Sequence, residues 1–216
     1  MPSFPARLAE SRIVAVIRGT DGPAAVETAL ALLAEGLRLV EVTLTTPGAL
    51  RAIEQIRSHA PQESLIGAGT VLTPRHVSDA AEAGAQFLVT PAVVSSVAAG
   101  AAAGLPVLAG ALTATEACSA MEEGAAAVKL FPASLGGPAY LTALRDPFPH
   151  VPFVAVGGVG LAEAEAFLRA GAVAVGVGGP LVGSAASPAA GTTGGDLTGL
   201  RERARAYLDV AQRCQP

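Results

Sequence analysis

The chain has 216 residues, 51% of them apolar and 15% charged, which is enough for one sizeable core and excludes a disordered or fibrous chain. A net charge of −4 leaves no basic face for a nucleic-acid backbone, so no nucleic-acid partner is expected. The N-terminal run Met1-Pro2-Ser3-Phe4-Pro5-Ala6-Arg7 lacks the long apolar core that a signal peptide needs. The Ala/Gly-rich residues 97–112 are broken by Gly100, Gly104 and Pro106, so no membrane span is expected either. Cys118 and Cys214 form neither a disulfide framework nor a metal-binding pair, which fits a reducing, cytoplasmic setting. His59, His76 and His150 are scattered, and no metal site is expected from them.

Short runs rich in Val, Ile and Leu alternate with alanine-rich helical segments. The strand candidates, in chain order, are residues 13–17, 39–44, 65–68, 87–89, 106–108, 126–130, 153–156 and 173–177. Between them apolar residues recur at helical spacing, as at Val26, Leu30 and Leu33 after the first run and Leu161, Ala164, Phe167 and Leu168 after the seventh. Gly36, Gly84, Gly104, Gly124 and Gly171 each end a helical segment and lead straight into the next strand, where glycine supplies a left-handed cap. Eight strand–helix units in series predict a (β/α)8 TIM barrel of the α/β class, a single domain over residues 1–216, rather than an open doubly wound sheet. Residues 184–195, rich in Gly, Ala, Ser and Thr, read as a mobile loop, and Asp196 as the cap of a final helix.

Lys129 is the only lysine; the other thirteen basic residues are arginines. It sits in an apolar run, Ala125-Ala126-Ala127-Val128-Lys129-Leu130-Phe131-Pro132. A buried ammonium is costly unless it is paired or loses its proton. Unlike a guanidinium, an amine can deprotonate near neutral pH and attack a carbonyl. A structural ion pair and a nucleophile both fit that placement taken alone.

Active sites of this fold lie at the C-terminal ends of the strands. Arg18 closes the first strand on the face of Val14 and Val16, and Glu41 shares a face with Leu39 and Thr43. Thr70 and Pro91 follow the third and fourth strands, and Lys129 shares the face of Ala127 and Phe131. Glu41 and Lys129 are then either a buried salt bridge or an acid/base with a Schiff-base amine. Desolvation lowers the amine pKa and raises that of the carboxyl, which favours the second reading. Arg18 nearby suits a carboxylate anchor. Gly157-Gly158 and Gly178-Gly179 end strands seven and eight, where loops often hold a phosphate through backbone N–H groups; the plainer reading is tight turns.

The stretches Glu41-Val42-Thr43-Leu44, Gly67-Ala68-Gly69-Thr70-Val71, Ala83-Gly84-Ala85-Gln86-Phe87, Val128-Lys129-Leu130-Phe131-Pro132-Ala133 and Val156-Gly157-Gly158-Val159 resemble those of the 2-keto-3-deoxy-6-phosphogluconate (KDPG) and 2-keto-3-deoxy-6-phosphogalactonate (KDPGal) aldolases. The resemblance runs in order from about residue 13 to residue 182. It implies reversible cleavage of a 6-phosphorylated 2-keto-3-deoxy sugar acid to pyruvate and D-glyceraldehyde 3-phosphate. By it, Lys129 is the Schiff-base lysine and Glu41 the general acid/base, while Thr70, Pro91 and Phe131 shape the pyruvate pocket. It also implies a homotrimer that needs no metal and no cofactor.

The chain departs from the family pattern at three places. The gluconate branch has an arginine where Thr45 stands here, and Arg18 takes the place seen in the galactonate branch. Val156-Gly157-Gly158 replaces the Thr-Gly-Gly of the gluconate branch, again as in the galactonate branch. A phosphate-contacting serine common to the family is Gly179 here, which removes one hydroxyl donor. The rival readings are a 4-hydroxy-2-oxoglutarate aldolase using the same lysine, a sugar-phosphate epimerase or isomerase with no need of Lys129, and a non-catalytic sugar-phosphate-binding protein. The last would fit a disrupted Glu–Lys pair, and both residues are present.

Overall fold

The computed structural model describes residues 2–189 and 195–215. Eight parallel strands close into a barrel in chain order: β1 (Ile13–Ile17), β2 (Leu39–Thr43), β3 (Leu65–Gly69), β4 (Phe87–Val89), β5 (Val107–Ala111), β6 (Ala127–Leu130), β7 (Phe153–Val156) and β8 (Ala174–Val177). Strand β8 pairs back onto β1 through Ile13↔Val175 and Val14↔Gly176, so the sheet has no edge and the open alternative is excluded. A short helix, α1 (Phe4–Ser11), precedes the barrel. The helices α2 (Gly22–Ala34), α3 (Ala49–His59), α4 (Pro74–Glu82), α5 (Ser96–Ala102), α6 (Ala114–Glu122), α7 (Gly137–Arg145) and α8 (Leu161–Arg169) follow β1 to β7 in turn. The four-residue α9 (Gly179–Val182) follows β8, and α10 (Leu197–Arg213) ends the chain.

Local chemistry sets these boundaries. Side chains of Asp21, Thr73 and Thr113 accept from backbone N–H groups at the starts of α2, α4 and α6, satisfying donors that a helix leaves orphaned. The five expected glycine caps all have positive φ, from 73° at Gly104 to 106° at Gly36. At each, the last turn closes as at Gly84, whose N–H donates to the Ala81 carbonyl while that of Ala85 donates to Ala80. The Asp196 carboxylate caps α10, accepting from the Gly199 N–H at 2.8 Å.

Alternate residues of each strand face the barrel interior. Val14, Leu39, Phe87, Leu108, Ala127, Val154 and Ala174 form an inner cluster with Phe4 and Leu8 of α1, none more than 8% exposed. The Phe4 ring lies 5.2 Å from that of Phe87, and a Cβ on Gly67 would fall 2.5 Å from the Phe87 ring. Glycine at 67 therefore makes room for Phe87, and Phe87 seats α1 beneath the barrel.

Helix α1 is absent from the expected elements: Ser3 caps it and Pro5 fits its first turn. Strand β5 runs three residues past the expected 108, because Ala109-Gly110-Ala111 lacks the bulky residues that mark a strand. Within the expected mobile loop 184–195, Ala185 and Ala186 are buried, and the Ala186 carbonyl accepts from the Thr20 N–H at 3.1 Å. Residues 190–194 of that stretch lie outside the described residues.

Replacing Phe4 with Ala is expected to cost about 3 kcal/mol in urea unfolding at fixed protein concentration, the low end for removing a buried aromatic. Chemistry at Lys129, above the opposite end of the inner cluster, should be unchanged in the folded variant. A loss under ~0.5 kcal/mol, the size of an ordinary surface change, would mean that α1 is not part of the core.

Candidate active site

Nine residues singled out in the sequence line a single cavity of about 400 Å³: Arg18, Thr70, Pro91, Lys129, Phe131, Gly157, Gly158, Gly178 and Gly179. They come from the ends of six different strands, and the volume suits a small ligand. Glu41 does not line it; this residue lies beneath, 1% exposed, in register with Val16 on β1 and Gly67 on β3. The sequence reading misses the apolar part of the wall, Val16, Val156, Val159, Pro180 and Val182, together with Gly176 and Gly183. Val16 was within reach, because it shares a face with Arg18. Depressions of about 560 Å³ beside α1 and α10 and about 610 Å³ over the β2–α3 loop lie elsewhere. The first is lined by Arg7, Arg38 and Glu63, which are tied to one another, and the second includes Thr45. Among the described residues no group of three or more His, Cys, Asp or Glu is placed to hold a metal ion. No described helix is long and apolar enough to cross a membrane.

Lys129 is 8% exposed and pairs along the sheet with Gly110 and Val154. Gly110 is forced by space: a Cβ there would lie 2.2 Å from the Pro91 carbonyl carbon. The Lys129 amine stands 4.9 Å from the centroid of the Phe131 ring, within reach of its π face. Among the described residues neither Lys129 nor Glu41 makes an ion pair of 4.0 Å or less, so the plain salt-bridge reading does not hold. They act on each other through space. Burial pushes the amine pKa down, against the pull of Glu41 and with the push of Arg18. Burial raises the Glu41 carboxyl pKa, against the pull of Lys129 and Arg18. An amine eased toward its neutral form and a carboxyl eased toward its protonated form can attack a carbonyl and move protons near neutral pH.

Two backbone features shape the wall beside them. A Cβ on Gly69 would come within 2.8 Å of Glu41 Oε1, so glycine there leaves space for the carboxylate. Thr70 follows with φ of 59°, a left-handed conformation that a β-branched residue adopts only under constraint. Such strain collects where a chain must aim a side chain, and Thr70 faces the cavity.

Arg18 is exposed at the cavity and makes no ion pair among the described residues, which leaves its guanidinium free for an anion. Thr45, by contrast, is exposed in the separate depression and bonds Thr43 at 3.0 Å. The backbone N–H groups of Gly157, Gly158, Gly178 and Gly179 donate to no acceptor among the described residues. Gly157 and Gly158 have φ of 96° and 72°, which presents successive N–H groups as a concave anion cradle does. The cavity thus combines a buried neutralisable amine, a free guanidinium and four unsatisfied donors.

The family model described as "Aldolase: KDPG and KHG aldolase" matches residues 5–190. The chain belongs to this aldolase family. Its members are carbon–carbon lyases, and this chain is an enzyme of that class acting on small molecules. It is 37% identical over 171 residues to 2-dehydro-3-deoxy-6-phosphogalactonate aldolase of Escherichia coli K12, covering 78% of this chain and 83% of the relative. It is 36% identical over 190 residues to the KHG/KDPG aldolase of the same organism, covering 87% and 86%. Among solved structures, KDPG aldolase from Legionella pneumophila with pyruvate captured at low pH as a covalent carbinolamine intermediate matches with a TM-score of 0.77 at 30% identity. That match covers 98% of this chain and 96% of the other.

With one lysine in the chain, ¹³Cε-lysine labelling gives a single side-chain NMR signal that reports the Lys129 amine alone. Its titration midpoint should fall below the usual lysine value of about 10.4. Glu41→Gln should move it further down, because the carboxylate favours the ammonium, and Arg18→Ala should move it up, because a positive neighbour is lost. A midpoint at the ordinary value, unmoved by both changes, would contradict the buried placement.

Proposed function

We propose that this aldolase cleaves a 6-phosphorylated 2-keto-3-deoxy sugar acid, of gluconate or galactonate configuration, to pyruvate and D-glyceraldehyde 3-phosphate through a Schiff base on Lys129. The observation that carries the reading is a buried, unpaired amine opening onto a cavity that also holds a free guanidinium and four unsatisfied glycine donors. The covalent carbinolamine in the Legionella relative supports the same chemistry.

Neutral Lys129 adds to the C2 carbonyl, and loss of water from the carbinolamine gives an iminium. The iminium accepts the electron pair of the C3–C4 bond as the C4 hydroxyl proton leaves, which releases the aldehyde and an enamine. Glu41 takes that proton and later returns one to the enamine carbon; because it lies beneath the lining, a water carries the proton between them. Hydrolysis then frees pyruvate and the amine. Arg18 holds the C1 carboxylate by a charge-assisted hydrogen bond. Thr70, Pro91 and Phe131 enclose the three-carbon unit, and the backbone N–H groups of Gly157, Gly158, Gly178 and Gly179 receive the phosphate. We propose the homotrimer that the family resemblance implies; exposed Leu50, Leu72, Leu135 and Leu161 offer apolar surface for it.

Pyruvate with borohydride should add one pyruvyl mass to the wild type, and Lys129→Arg should abolish it, since guanidinium stays protonated. Glu41→Gln should still trap pyruvate while cleaving roughly two to four orders of magnitude more slowly. Normal turnover without a trapped mass would sink the Schiff-base reading.

The 4-hydroxy-2-oxoglutarate alternative rests on Gly179, which offers no hydroxyl where the family has a serine. A Cβ at Gly179 meets nothing within 4 Å, so Gly179→Ser has room for its side chain. This change should lower KM for the phosphorylated sugar acid and barely alter 4-hydroxy-2-oxoglutarate cleavage. In the wild type, kcat/KM should favour the phosphorylated over the dephosphorylated sugar acid. A ratio near unity would reduce the glycine pairs to turns and leave the unphosphorylated substrate as the better reading.

A further inference from the structure

The two glycine pairs sit on the turns after β7 and β8; the Gly178 carbonyl accepts from the Leu181 and Val182 N–H groups and that of Gly179 from Gly183, so the second pair is tied directly to α9. Helix α9 has only four residues, so its carbonyls find few partners within it. Further partners come from α10, on the far side. Arg203 donates from Nε to the Leu181 carbonyl at 2.7 Å and from Nη2 to that of Val182 at 3.3 Å. Its remaining arm, Nη1, bonds Asp196 Oδ2 at 3.3 Å. Four residues on, and so on the same face of α10, Tyr207 donates its hydroxyl to the Val159 carbonyl at 3.1 Å. Val159 directly follows Gly157-Gly158 and lines the cavity.

The surroundings accommodate this arrangement. A Cβ on Gly183 would lie 2.6 Å from Arg203 Nη2, and one on Gly199 would lie 2.7 Å from Nη1. Both glycines therefore leave a slot that the guanidinium fills. Tyr207 is 1% exposed, and burial pushes its phenol up to about 12, so it remains a donor across the working range.

We propose that Arg203 and Tyr207 are positioning residues that hold the two glycine turns at the spacing a phosphate needs. Neither lines the cavity; Arg203 anchors the turn of α9 whose N–H groups bond the Gly178 and Gly179 carbonyls, and Tyr207 anchors the residue that directly follows Gly158. The proposal rests on the phosphate reading above and extends it to α10, where the residues act from behind the site.

Arg203→Met, Arg203→Lys and Tyr207→Phe test it by steady-state cleavage of the phosphorylated sugar acid and of 4-hydroxy-2-oxoglutarate, with inorganic phosphate as competing inhibitor. Loss of one such hydrogen bond should raise KM for the phosphorylated substrate and the inhibition constant of phosphate about tenfold. The kcat of the phosphorylated substrate, 4-hydroxy-2-oxoglutarate cleavage and pyruvate trapping on Lys129 should stay within about twofold, because the reacting carbons are bound elsewhere. Arg203→Lys, which keeps one donor, should fall between wild type and Arg203→Met. Equal losses on both substrates would make the two residues merely structural and overturn the proposal, as would an unchanged KM. Wild-type cleavage that ignores phosphate would overturn the phosphate reading itself, a distinct failure seen before any variant is made. Should Arg203→Met not fold, Tyr207→Phe decides alone, since it removes one hydroxyl and keeps the ring.

Discussion

An amine placed in the barrel interior without a contacting counter-ion is the constraint on which the rest of this structure depends. A charge so desolvated is expensive, and the protein compensates only in part: Glu41 and the Phe131 ring favour the ammonium, while burial and Arg18 oppose it. The balance eases the amine toward its neutral form. A contact ion pair would have settled it as a cation, and a fully apolar surrounding would have left its conjugate carboxyl without purpose. Glu41 is held in the complementary condition, more deeply buried and more easily protonated.

Room in the sheet is created by residues that contribute no side chain of their own, Gly69 leaving it for Glu41. A TIM barrel interior is normally filled by branched aliphatics from alternate strands. Here Gly67, Gly69, Gly110 and Gly176 stand in the strands, and a Cβ at each would collide in turn with the Phe87 ring, Glu41, Pro91 and Val156. The cluster of Phe87, Leu108 and Val154 above α1 is packed conventionally. The barrel thus combines a dense cluster over α1 with glycine positions that leave space beside the site. The strained Thr70 backbone directly follows Gly69, where the surrounding sheet fixes it.

Much of this was legible in the residues. A lone lysine and a glutamate inside apolar strands are conspicuous, because burial makes any charge there a commitment. The recurring glycine before five of the strands exposes the helix–strand rhythm through a backbone requirement no other residue meets as well. What stayed hidden depends on main-chain groups or on distant packing. Arg203 and Tyr207 bond carbonyls, and carbonyls carry no sequence identity; on α10 they read as ordinary surface and core residues. Thr70 is visible as a site residue, but its left-handed backbone runs against its own conformational preference and is not. Helix α1 is too short for a periodic signal, and its purpose appears only when Phe87 meets Phe4. Strand β5 ends in Ala-Gly-Ala because Pro91 needs that space, a fact of the neighbouring strand rather than of its own.

The seat of α1 has a consequence for traffic through the molecule. Phe4 and Leu8 complete a filled floor, so the described barrel has a front door and no back one. In the proposed reaction the three-carbon unit is tethered to Lys129 while the aldehyde is free in front of it. Departure then becomes a queue in which the aldehyde leaves before the keto acid. Run toward synthesis, the same geometry admits the keto acid before the aldehyde. The helix keeps both fragments on one side of the barrel, and the bond to Lys129 sets which of them waits.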